Sequence, residues 1–157
     1  MNPAHVHLII NHVPVVGLAF ALALLAWGAV RSNQALIKAA LVSLVALALV
    51  AIPVYLTGEP AEKAVKGLPG VGYGFIEQHD DAATAALVGV LVAGGAGLIG
   101  LWAYRARPVA AWFSSSMLLL CLIAAGLMAW TANLGGQIRH TEIRGPSQVP
   151  PSEVQEK

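Results

Sequence analysis

Long apolar tracts alternate with short polar interruptions along this chain. Four tracts, Val13 to Val30, Ala39 to Leu56, Ala82 to Ala103 and Val109 to Trp130, carry almost no charge. Each approaches the ~20 residues that a helix needs to cross a ~30 Å hydrocarbon core. None alternates polar with apolar residues, which sets membrane strands aside. The pattern predicts an all-α, integral membrane, four-helix antiparallel bundle. Its helices are expected at about 8–30, 36–57, 80–104 and 109–133 within a transmembrane domain covering 1–144. An exoplasmic loop, 58–79, joins the second helix to the third. Within it Pro60 to Lys66 suits a short helix on the membrane surface, and Gly67 to Gly74 is rich in turn formers. Pro14 lies near the start of the first helix or kinks it beside His12. From Gly145 on, Pro146, Pro150 and Pro151 mark a disordered or partner-bound tail, 145–157.

Composition agrees with a membrane chain. Of 157 residues, 57% are hydrophobic and 11% charged, against about a quarter charged in soluble domains. The arrangement of charge says more than the net value of +1. Arg31, Lys38, Arg105 and Arg107 stand in the two short hairpin loops with no acid among them. By the positive-inside rule those loops face the cytoplasm. Both termini, the long loop, all eight acids and all five histidines then lie on the outer side. The expectation is a multi-pass protein of a bacterial inner membrane with periplasmic termini. The first tract lacks a basic leader and a small-residue cleavage site, so it reads as a retained helix. Cys121, alone in the fourth tract, reads as a small core residue.

Helix 3 carries Gly89, Ala93, Gly94, Gly97 and Gly100. This spacing permits close helix packing or makes room for a flat cofactor, and packing is the plainer reading. A weak internal repeat also shows at an offset of 74 residues, where His5, Arg31 and Thr57 fall on His79, Arg105 and Thr131. A genuine repeat would make the bundle a duplicated helical hairpin.

The histidines are the candidate chemistry. Helices 1 and 3 begin outside, and helices 2 and 4 end there. One layer therefore gathers His5, His7, His12, Thr57, Glu59, Glu77, His79, Asp80, Asn133, His140 and Glu142. Imidazole at a bilayer boundary is costly unless paired, hydrated or metal-bound. Two neutral imidazoles from different helices can ligate a haem iron axially, while nearby carboxylates orient their other ring nitrogens. His12 and His79 are the first candidates for the metal. His7 and His140 are further candidates, with His5, Glu59, Glu77, Asp80 and Glu142 as supporting groups. Bland alternatives stand beside each: headgroup solvation for His5 and His7, helix-start roles for His79, Asp80 and Asp81, a loop position for His140.

His7-Leu-Ile-Ile-Asn-His12-Val-Pro-Val resembles the His-Pro-x-x-Val-His-Phe-Pro-Ile opening of an uncharacterised bacterial family of four-helix membrane proteins. Gly135-Gly136-Gln-Ile-Arg-His140 looks like that family's ending, and His79 matches its third histidine. The chain departs from the pattern in lacking the proline after His7 and in a shorter Gly-Gly to His spacing. The resemblance implies haem or metal binding by His7, His12, His79 and His140.

Three functions follow as expectations. The first is a b-type cytochrome-like protein that holds haem b near the exoplasmic surface. It would pass electrons to other membrane redox subunits, a periplasmic cytochrome or a quinone. The second is a structural subunit of a larger membrane complex, and the third a copper or zinc binding protein. A nucleophilic triad is unsupported, since Ser114 to Ser116 lie far from the histidines, and no nucleic-acid stripe is visible. Electron transfer is therefore favoured over turnover of a substrate.

Overall fold

The computed structural model describes residues 2–145. The expected tail, from residue 146 on, lies outside the described residues. The described chain is all helical. It comprises α1 (Pro3–Ile10), α2 (His12–Val30), α3 (Gln34–Leu56), α4 (Gly58–Val65), α5 (Tyr73–Ala103) and α6 (Ala111–Arg139), closed by a 3-10 turn at Thr141–Ile143. Four continuous or nearly continuous stretches, Pro3–Val30, Gln34–Val65, Tyr73–Ala103 and Ala111–Arg139, are long and apolar enough to cross a membrane.

Helices α2, α3, α5 and α6 form a square bundle, each packing on the next and α6 closing back on α2. Leu18, Ala21, Leu25, Ala40, Leu41, Leu44, Val90, Met117, Cys121 and Ala124 fill its centre almost without exposure. The small residues of α5 serve packing. A methyl added at Gly94 would strike Ala48, one at Gly97 would lie 3.2 Å from the Leu41 carbonyl oxygen, and one at Gly100 would strike Phe113. Without side chains there, α5 approaches the backbone of α3.

Both helices of the first hairpin break where sequence chemistry demands it. Pro14 offers no N–H to the Ile10 carbonyl, and the chain turns at Asn11 between α1 and α2. Pro60 likewise offers no N–H to the Leu56 carbonyl, and the chain turns at Thr57 between α3 and α4, whereas α3 runs on past Pro53. The two outer pieces, α1 and α4, then pack on each other. The second hairpin is unbroken and longer than the sequence pattern suggests. α5 begins at Tyr73 instead of about 80, because Gly72 is extended and Phe75 to Asp81 contains neither glycine nor proline. α6 runs on to Arg139 instead of 133, since neither Gly135 nor Gly136 stops it. Of the expected loop 58–79, only the segment between α4 and α5 is irregular, with Gly67 and Gly70 at positive φ.

Two devices close the ends. At the arginine end, the Gln34 side chain accepts from the Val109 N–H at 2.7 Å and donates to the Val109 carbonyl at 3.5 Å, tying the short loops together. Trp27, Trp102 and Trp112 are exposed there, and Arg31 and Arg105 lie over Trp27 and Trp102. At the histidine end, buried Arg144 donates to the carbonyls of Gln137, Ile138 and Gly70 and stacks on Phe75. Arg139 donates to the Pro69 carbonyl. The segment 66–72 is thereby fastened to the end of α6.

Candidate metal or haem site

His7 leaves α1 toward the turn that ends α3. Its Nδ1 lies 2.9 Å from Thr57 Oγ1. The Thr57 hydroxyl gives its single proton to the Val54 carbonyl at 2.6 Å. The oxygen therefore accepts, and His7 Nδ1–H donates. On the second hairpin, His79 Nδ1 lies 2.9 Å from the Thr131 carbonyl oxygen, which can only accept. Each neutral ring thus carries its proton on Nδ1 and leaves the Nε2 lone pair unused. Both rings are part-buried.

The arrangement repeats across the two hairpins. In each, a histidine in the first helix meets a threonine in the outer part of the second, by the hydroxyl of Thr57 and by the backbone carbonyl of Thr131, which lies two turns before α6 ends. The threonines keep the offset of 74 residues, but the histidine that pairs with His79 in this sense is His7, not His5. A two-residue slip hides this from simple alignment. Glycines border the rings: Gly58 approaches His7, and Gly135 faces the imidazole of His79, where a methyl would sit 3.0 Å from Cε1.

The remaining candidates are placed elsewhere. His12 is exposed at the start of α2 and donates from Nδ1 to the Leu8 carbonyl at 2.7 Å, spanning the break at Asn11. His140 is exposed and meets Glu142 at 2.8 Å. That contact and its own backbone N–H hold the Glu142 carboxyl below its ordinary range, the backbone bond contributing most. His5 is exposed. Glu59 pairs with Lys63 on the open face of α4. Glu77 and Asp80 line a hollow of about 260 Å³ with Glu62, Tyr73 and Ile76. Among the described residues, no three His, Cys, Asp or Glu side chains stand close enough to hold a metal together.

Thr57, which the sequence places in the histidine layer, is joined at the site by Thr131 and Gly135, which it does not. The repeated His and Thr at matching hairpin ends was the signal that could have found them. Comparison with protein-family models, with curated proteins and with solved structures returned no match.

Proposed function

We propose that this chain is a small membrane cytochrome of b type, with His7 and His79 as the axial pair. The observation that carries this reading is the pairing itself. Two imidazoles from opposite hairpins have their Nδ1 protons committed to protein oxygens and their Nε2 lone pairs free. This donor set fits a haem iron, which needs only two protein ligands. It is incomplete for tetrahedral zinc, which takes four ligands, three of them from protein even at a catalytic site. The filled bundle centre leaves the histidine end as the place for the macrocycle.

In this reading Thr57 and the Thr131 carbonyl orient the two rings and raise their basicity as ligands. Gly135, lacking a side chain, leaves room for the His79 ring against α6. Bound there, haem would take up and release single electrons. The basic loops at Arg31 to Lys38 and Arg105 to Arg107, with their exposed tryptophans, favour a cytoplasmic arginine end in a bacterial inner membrane. The histidine end and both termini would then face the periplasm, where a redox partner can approach.

The test is the visible spectrum of the purified, haem-loaded protein with and without dithionite. A sharp reduced α-band is expected. His7→Ala and His79→Ala should each abolish it, while His12→Ala should retain it. A colourless protein that carries stoichiometric copper or zinc, or nothing at all, would overturn the proposal.

A further inference from the structure

The arginine end of the bundle carries charge that the chain does not answer itself. Arg31, Lys38, Arg105 and Arg107 stand there, and no Asp or Glu occurs in residues 12–58 or 82–141. The ion pairs Lys63–Glu59, Lys66–Glu62 and His140–Glu142 all lie at the opposite end. Arg31, Arg105 and Arg107 are exposed, and the bonds of Gln34 to Val109 bring both short loops to one face. Four cations so placed attract an anion from outside the chain.

Two of the four are also positioned. At the end of α2 the Arg31 guanidinium lies over the exposed Trp27 ring, 5.8 Å from its centroid. At the end of α5 the Arg105 guanidinium lies over the exposed Trp102 ring at 5.1 Å. Arg105 also donates from one nitrogen to the Trp102 carbonyl, which leaves the rest of its fork for a ligand. Stacking uses the face of a guanidinium and spares its N–H edge, which matches two phosphate oxygens at once. Beneath each ring the same helix face is exposed and apolar, with Val16 and Phe20 under Trp27 and Leu91 and Leu98 under Trp102. Indole rings settle at headgroup depth. Each guanidinium therefore stands at the level of lipid phosphates, above a face on which an acyl chain can lie. The device occurs once per hairpin, and Arg31 and Arg105 keep the 74-residue offset.

We propose that the two arginine–tryptophan pairs are headgroup sites for an anionic phospholipid of the phosphatidylglycerol kind, its phosphate on the guanidinium edge and an acyl chain along the apolar face beneath. Every phospholipid carries a phosphate, but a choline head brings a cation of its own, and the positive charge gathered at this end repels it. The assignment rests on the four spans crossing a bilayer. It needs neither haem nor a particular orientation, so it and the cytochrome can fail separately.

The test is tryptophan quenching in the full chain, purified in dodecyl maltoside, by phosphatidylglycerol brominated on its acyl chains, against phosphatidylcholine brominated in the same way. Stronger quenching by phosphatidylglycerol at equal mole fraction is expected, and it should weaken as salt rises. Arg31→Gln combined with Arg105→Gln should lower the phosphatidylglycerol affinity about fivefold or more. Both positions are exposed, so helix content, read by circular dichroism, should not change. Lys63→Gln, at the opposite end and paired with Glu59 in the parent, should leave the preference as it was. Inorganic phosphate, matched in ionic strength to a chloride control, should not relieve the quenching. Equal quenching by the two lipids, a double variant that keeps the parent's preference, or relief by free phosphate would overturn the assignment.

Discussion

Thr57 uses one oxygen twice, donating to Val54 and accepting from His7. Thr57→Val keeps the shape and removes both bonds. The expected loss is about 1–2 kcal/mol in detergent unfolding, and the reduced α-band should broaden as His7 loses its fixed orientation. Thr57→Ser should restore both. Gly135→Ala brings a methyl to 3.0 Å of the His79 ring, so the ring must turn from the Thr131 carbonyl. Its expected signature is a shifted or weakened band with little change in helix content. Gly126→Ala on the same helix meets open space and should stabilise by roughly 0.5–1 kcal/mol. The histidines were legible in the sequence as a class, because imidazole stands out beside hydrocarbon. Which of them pair was not legible. His12 looked the deeper candidate from its apolar context, but the break at Asn11 turns its ring onto the Leu8 carbonyl.

At the scale of the helix, the apolar tracts marked out four spans before any coordinates, since hydrocarbon thickness fixes length and composition together. The ends were harder to read. Hydropathy falls off where helix continues, so the polar first turns of α5 and the last turns of α6 carry no apolar signal. The glycines of α5 were legible as a packing face, and the contacts with Leu41, Leu44 and Ala48 bear that out. Gly97→Val should cost about 1–3 kcal/mol by forcing α3 and α5 apart, measured by thermal unfolding in detergent. Gly95→Ala, with nothing near it, should not destabilise.

For the molecule as a whole, the Arg144 clasp joins the end of α6 to the segment between α4 and α5. Arg144→Ala should expose residues 66–72 to protease well before the bundle unfolds, because three carbonyls lose a charged donor. Glu142 gives a pH readout of the same region. Its carboxyl is depressed in the folded state, so its contribution is present above the ordinary carboxylate range and fades as pH falls through the lowered value. In an NMR titration, His140→Ala should move Glu142 back toward its usual range. The long second hairpin also carries a consequence for reach. At 31 residues, α5 measures about 46 Å, some 16 Å more than a hydrocarbon core. His79 lies six residues inside its outer tip, roughly 9 Å below it. With the arginine end anchored among headgroups, both imidazoles would stand proud of the acyl chains, and on the proposed cytochrome reading a water-borne protein would exchange electrons there across a short gap without entering the lipid.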